Sequence, residues 1–438
     1  MDSIDAGFMV IKSTDQDSYN RHEFRPNNYF YYLTGYSAPN SYLILKKQET
    51  DLFMLSLPGE SIRSLIYEGS HLPAGEVKAL YGPDRLLSYH EVRKVLDSIL
   101  NSGAPIYTDL RNRFLLDELK RIAGEESSSE FRSAAGVIDE MRVIKDPMEV
   151  ERIQKACNIT SRAITRVMKA CRPGKYEFEM ESVIEGTFLE FGSPMPGFPS
   201  IVGSGPNSTI LHYESNNRQM ESGDLLLMDI GAEYGGYTAD ITRTIPVNGR
   251  FSTEQQTIYQ LVLDAQQAAI EKMKPGNGFI DGHMAAKAVI VDGLTRLGLI
   301  TDPEAPWQVN FYILYPSSHY LGMEVHDVGD MGGSFPEFTR RTPEDSIESR
   351  PLEPGMVLTI EPGLYFREEG LEQAFRIFRH EADSIEIAAF VETVRPIYEK
   401  YINTGVRIED DILITGEGNI NLSRYAPKEI GDIEQIMR

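Results

Sequence analysis

The sequence predicts a chain of α/β (α+β) class in two parts, a mixed α/β domain over 1–140 and a larger pseudo-two-fold domain over 141–438. Three observations carry this. The length of 438 residues suits two domains better than one. Short apolar strands alternate with helical runs in the first part. In the second part a helix, stop, helix, strand pattern occurs twice.

In the first part, residues 41–46 and 51–57 are apolar and β-prone, and Pro58-Gly59 ends the second run. Residues 91–100 and 112–123 have helical periodicity, and Glu125 to Glu130 is a polar loop. Near residue 146 the second part begins. Asp146 suits an N-cap, Pro147 the first helical position, and Glu149 completes a capping box. A helix over 149–171 then meets Arg172-Pro173-Gly174, and a second helix runs over 177–191. A helix over 253–273 meets Lys274-Pro275-Gly276, and its partner runs over 279–297. Glycine-rich strand sequence follows each pair. The repetition points to an internal duplication, with two ordinary helix hairpins as the alternative. Residues 331–352 read as a Gly/Pro-rich excursion and 367–400 as an inserted helical element around Gln373 to Ile397.

Composition narrows the function. Acidic residues outnumber basic ones, 66 to 43, for a formal charge of -23. Nucleic acid and anionic membrane are polyanions and would be repelled, so neither is expected as a partner. No run approaches the eighteen apolar residues of a membrane span, and Met1 to Val10 lacks a basic n-region, so no signal peptide is expected. Cys157 and Cys171, fourteen residues apart on one predicted helix, would lie roughly 20 Å apart, too far to pair. A reducing, cytoplasmic compartment fits two unpaired thiols.

The chemistry concentrates in four segments. Leu225 to Ala232 is an apolar strand with Asp229 at its middle, where a carboxylate is costly unless paired or ligating a cation. Gly235-Gly236 marks a tight turn, and the returning strand carries Asp240. A hairpin would bring the two aspartates together, and a shared metal would relieve their repulsion. The alternative is an Asp240–Arg243 pair. Ser318 to Gly329 contributes His319 and His326, seven apart around Gly322; two histidines in such a run suit a ligand or a proton carrier. Glu361 ends an apolar strand before Pro362-Gly363. Arg407 and Glu409 stand two apart on an expected strand and so would share a face. Four carboxylates and an imidazole, with no thiolate, suit two divalent ions, Mn²⁺ first, with Co²⁺, Zn²⁺ or Fe²⁺ as alternatives. Two ions about 3.5–4 Å apart acidify water and polarise a carbonyl, which is the equipment for amide hydrolysis.

The order and context of these segments resemble the pita-bread metallopeptidases, and within them the Xaa-Pro aminopeptidases (aminopeptidase P) and prolidases. The resemblance covers about 140–425 and extends to Phe24 to Tyr36, which is similar to the family's Y-L-T-G segment. It implies a pseudo-two-fold catalytic domain of the creatinase/aminopeptidase kind. It also implies that Asp229 chelates one metal, that Asp240 and Glu409 bridge two, and that His319 and Glu361 hold the second. Glu361 would manage the proton of the nucleophile, His212 would stabilise the tetrahedral intermediate, and His326 would contact the substrate carbonyl. Tyr365 and Arg407 would line the substrate site. The implied substrate is a short peptide with proline second, and the implied assembly is a dimer or tetramer. A prolidase restricted to Xaa-Pro dipeptides is the alternative activity, and a silent peptide-binding module is the alternative class.

The chain departs from the family pattern at several points. Tyr315 stands where the first histidine of an H-G-x-x-H run is expected, and Tyr29 replaces an aspartate. The His319–Glu361 and Glu361–Glu409 spacings are also long. These leave the ligand set intact and bear on substrate contacts.

Overall fold

Gly7–Lys12 (β1), Tyr42–Lys47 (β2) and Leu52–Ser56 (β3) are runs of β-branched, aromatic and aliphatic residues, and they pair antiparallel. Arg85–Leu87 (β4), Ile106–Thr108 (β5) and Phe131–Ser133 (β6) join them through parallel pairings. The sheet order is β4-β3-β2-β1-β5-β6. Alternation along β1 places Met9 and Ile11 against Phe30 and Ile138, and Phe8 and Val10 against Val92, Leu96 and Leu119. Both faces of the sheet are therefore covered by helices, as an α/β unit requires. The predicted strands and both predicted helices of this part form, the helices as Tyr89–Leu100 and Arg113–Ala123.

The computed structural model describes residues 7–15, 24–47, 52–59, 62–124, 130–333 and 349–438. It divides into two compact units, Met1–Met141 and Arg142–Arg438. Most of the Glu125–Glu130 loop and the central part of the 331–352 excursion lie outside the described residues. No described helix is long and apolar enough to cross a membrane.

The second unit opens with the predicted capping box. Asp146 accepts from the main-chain N–H of Met148 (2.7 Å) and Glu149 (2.9 Å), and Glu149 accepts from that of Asp146 (2.8 Å). Two helix pairs follow as expected, Pro147–Ala170 with Glu177–Glu190 and Thr253–Lys272 with Asp281–Leu297. Each pair precedes a two-stranded ribbon with a break in it. In the first ribbon Leu225–Ile230 (β8) pairs with Ile241–Pro246 (β11), and Glu233–Tyr234 (β9) with Tyr237–Thr238 (β10). Ile201–Ser204 (β7) lies on the other edge of β8. In the second ribbon Val357–Ile360 (β12) pairs with Asp410–Ile414 (β15), and Gly363–Phe366 (β13) with Thr404–Arg407 (β14). The recurrence of helix, helix and broken ribbon gives the predicted duplication its structural form.

Local chemistry sets the breaks. Gly235 and Gly236 both have positive φ, 61° and 85°, and close the first ribbon with the two-residue turn that suits twisted strands. At Gly231 an added Cβ would lie 1.8 Å from the Ala239 carbonyl oxygen, so only glycine permits the approach beside Asp240. In the second ribbon Pro362 has no N–H to give the ladder. The inserted helical element forms between β13 and β14 as two helices, Gly370–Ile377 and Ser384–Tyr398. Trp307 and Phe311 pack tilted against Phe378 and edge-on against Phe390 there and anchor it.

Candidate metal centre

Asp240, Glu361 and Glu409 all stand at the ribbon breaks, and Asp229 stands on β8 opposite Thr242. Glu409 is not on a strand with Arg407, as the sequence suggested. It lies in the two-residue gap between β14 and β15, because its main-chain N–H leaves its own ribbon for the Thr242 carbonyl of the other (3.1 Å). Its Oε2 accepts from the Thr242 hydroxyl at 2.6 Å. Glu361 behaves alike, its N–H going to the Ser317 carbonyl at 3.0 Å. The His319 segment runs beside β12, with the Thr359 N–H on the His319 carbonyl (3.0 Å) and the Leu321 N–H on that of Val357 (3.0 Å). Carboxylates at pleat breaks can converge, whereas those on a regular strand would alternate faces.

Among the described residues, Asp240, His319 and Glu409 offer ligand atoms that all lie within 4.8 Å of one another. His319 Nε2 is 3.4 Å from Asp240 Oδ2 and 3.3 Å from Glu361 Oε1. The His319 Nδ1 faces the Tyr320 carbonyl at 3.0 Å. A carbonyl only accepts, so Nδ1 carries a proton, and Nε2 is the ring nitrogen turned toward the carboxylates, where a cation would take its lone pair. Asp229 Oδ2 accepts from Arg407 Nη2 at 2.5 Å, while Asp229 Oδ1 and Asp240 Oδ1 are buried without a partner. Orphaned carboxylate oxygens beside an imidazole lone pair fit a hard or borderline cation. The Asp240–Arg243 alternative does not form. Arg243 points away and pairs with Asp410 at 2.6 Å.

The electrostatics agree. The Asp240 carboxyl is pushed well above the usual range by burial, then by Asp229, Asp411 and Glu361. Burial and then Asp240, Glu361 and Asp229 do the same to Glu409. Burial raises Glu361 to about 6, with His319 and Arg407 pulling the other way. Crowded carboxylates that resist ionisation are what a cation would relieve.

The remaining predicted residues surround this cluster. The His326 ring centroid is 4.3 Å from that of His319, and desolvation followed by the His319 and His212 imidazoles lowers His326 to about 4. His212 lies exposed on the loop after the 3-10 turn Gly205–Thr209. Arg407 also donates to the Tyr365 hydroxyl at 2.8 Å and to the Thr242 hydroxyl at 3.1 Å. Tyr315 occupies the same wall, its hydroxyl 2.8 Å from that of Tyr365. Tyr29 lies in the N-terminal unit, where its buried phenol hydrogen-bonds with Arg111 and Asp139.

Sequence reasoning assigned nothing to Thr242, Asp410 and Asp411. Asp411 is fully buried; it accepts from the Asp240 main-chain N–H (3.1 Å) and from the Cys157 thiol (3.1 Å). Burial raises it to about 7. Asp410 faces the other way, toward Arg243, Lys428 (2.5 Å) and Asn421 (2.7 Å). The available signal was alternation. Asp410 and Asp411 are consecutive residues of β15, so they must point to opposite faces.

Comparison with known proteins follows the same lines. Residues 151–416 match the model for metallopeptidase family M24, and residues 1–107 match that for the aminopeptidase P N-terminal domain. The Xaa-Pro aminopeptidase of Escherichia coli is 34% identical over 98% of this chain and 91% of its own length. Xaa-Pro aminopeptidase 3 of Mus musculus is 30% identical over 94% and 76%. Among solved structures, the low-pH form of aminopeptidase P from E. coli superimposes with a TM-score of 0.84 at 32% identity, covering 99% of this chain and 95% of that one. The aminopeptidase PepP of Pseudomonas aeruginosa gives 0.83 at 30% identity, covering 100% and 95%. On sequence, fold and clustered ligands together, the chain belongs to the Xaa-Pro aminopeptidase (aminopeptidase P) family of pita-bread metallopeptidases.

Proposed function

We propose that the chain is a dinuclear-metal Xaa-Pro aminopeptidase that releases the N-terminal residue from short peptides with proline second. The supporting observation is the Asp240–His319–Glu409 cluster with its unpartnered buried carboxylate oxygens. The domain over 141–438 carries the chemistry. Asp229 and Asp240, with Glu409, would hold one ion, and Asp240, His319, Glu361 and Glu409 the other, with Mn²⁺ the first choice for this donor set. Bound there, the ions supply acidified water and a Lewis acid for the scissile carbonyl.

The chain's own residues do the rest. Arg407 neutralises and orients Asp229 through Oδ2, leaving Oδ1 free. Glu361, whose Oε1 stands 3.3 Å from His319 Nε2 at the ribbon break, is placed to take the proton of the nucleophile and pass it toward the leaving nitrogen. His326, whose pKa is lowered to about 4, stays neutral at working pH and can donate one hydrogen bond to developing negative charge from the open side of the site. His212 stands near enough to His326 to lower its pKa, and Tyr365 lines the wall. The buried free thiols Cys157 and Cys171 fit a reducing cytoplasm, and a dimer or tetramer fits the family.

The test is metal analysis of purified protein followed by hydrolysis of three peptides: a tripeptide with proline second, the matching dipeptide, and a tripeptide with alanine second. Two equivalents of metal and preference for the first peptide are expected. A protein that takes up no divalent ion, or that cleaves regardless of proline, would sink the proposal. Preference for the dipeptide would make it a prolidase. His326→Ala should keep its metal content and lose about 10²–10³-fold in kcat. An unchanged kcat/KM would remove His326 from the mechanism.

A further inference from the structure

A chain of hydrogen bonds runs head to tail beside the cluster. Arg407 donates from Nη2 to Asp229 (2.5 Å) and from Nη1 to the Tyr365 hydroxyl (2.8 Å). The Tyr365 and Tyr315 hydroxyls are 2.8 Å apart, and Tyr315 donates to the Glu361 main-chain carbonyl at 3.1 Å. A guanidinium cannot accept and a carbonyl cannot donate, so every link has one direction. Tyr365 accepts from Arg407 and gives its proton to Tyr315, which gives its own to Glu361.

That last bond falls at the break of the second ribbon. The β12 pairing stops at Ile360 and the β13 pairing resumes at Gly363, so the Glu361 carbonyl belongs to neither ladder. The ring that reaches it is held firmly. Tyr315 packs with Tyr365, Ile201 and Leu227. A Cβ at Gly363 would lie 2.7 Å from the Tyr315 hydroxyl oxygen and 2.6 Å from that of Tyr365, so glycine leaves the space both phenols use.

We infer that Tyr315 is a positioning residue for the reaction: its hydroxyl supplies the ladder bond missing at Glu361 and so fixes where the Glu361 carboxylate stands relative to His319. The inference rests on the metal-dependent reading above. It also gives the position a use different from substrate contact, since the Tyr315 proton is committed to the main chain.

Tyr315→Phe keeps the ring and removes only the hydroxyl. Mn²⁺ titration of chelator-stripped protein by calorimetry, kcat and KM on the Xaa-Pro tripeptide, and Tm would be measured for wild type, Y315F and Y365F. The expected result for Y315F is about 10-fold weaker Mn²⁺ binding and about 10–100-fold lower kcat. KM should stay within about threefold and Tm near wild type. Y365F keeps the Tyr315–Glu361 bond and should bind Mn²⁺ more tightly than Y315F does. A lowered Tm with normal kcat per metal-loaded molecule would mean packing alone, and a raised KM alone would mean substrate contact. Either result, or the reverse ranking of the two variants, overturns the inference. So does a Y315F indistinguishable from an active, metal-loaded wild type. A wild type that takes up no Mn²⁺ would defeat the functional reading and this inference with it.

Discussion

Replacing Asp240 by alanine should abolish peptide cleavage and, in the same step, make the metal-free protein more resistant to heat. The two effects have one cause. Asp240 is 4% exposed, and its carboxyl is raised well above the usual range by burial and by Asp229, Asp411 and Glu361. An acid raised on folding weakens the folded state at any pH where the unfolded chain would ionise it. Without a cation, ionised Asp240 is therefore a liability at neutral pH, and alanine removes it. With a cation the same carboxylate becomes an anchor, and alanine removes that too. Calorimetry with chelator and then with Mn²⁺ would show this. The wild type should gain Tm on adding metal, while the variant should start higher and gain little. An Asp240→Ala protein that remains active, or that is stabilised by metal as much as wild type, would show that Asp240 is no ligand.

The second large effect concerns Asp410, which follows Glu409 in the chain and faces Arg243 and Lys428. Asp410→Asn should destabilise the protein by about 3–5 kcal/mol, because it leaves cationic groups facing a neutral amide in the interior. Arg243 is fully buried and reaches Asp410 at 2.6 Å, and Lys428 reaches it at 2.5 Å. Burial alone would raise the Asp410 pKa, but Arg243 and Lys428 outweigh it and hold the group well below the carboxylate range. The sign for pH follows. A depressed acid contributes its stability above the unfolded pKa, near 3.9, and loses it as pH falls further toward the folded value. Urea midpoints at pH 7 should drop sharply in Asp410→Asn, and the wild-type advantage should shrink below pH 4. A midpoint within error of wild type at pH 7 would show the ion cluster to be dispensable.

The contrast between these two acids shows how far the sequence could be read. The helix pairs were legible because a Pro-Gly stop and helical apolar spacing recur together, with a capping box opening the first. The ligand set was legible because carboxylates within apolar strands have few uses. Their placement was less so. Glu409 reads as a strand residue on the Arg407 face, but the ladder breaks there when its N–H crosses to Thr242. Hydrogen bonding between segments 167 residues apart leaves no local pattern. The same holds for Asp411, whose partners are Asp240 and Cys157. Asp410 and Arg243 became a pair only once the two ribbons were laid side by side.

The unequal connections of the ribbons also order their assembly. Strands β9 and β10 are joined by two glycines, whereas the connection between β13 and β14 holds two helices, Gly370–Ile377 and Ser384–Tyr398. A tight hairpin closes in about 1–10 μs, and ring closure over a longer segment costs more entropy before any contact repays it. The aspartate half of the centre is therefore expected to close first, as a hairpin whose two acids stand together before the second ribbon is made. The glutamate half should gain hydrogen-exchange protection later on refolding, and equal protection at the two ribbons would show that connection length does not set the order.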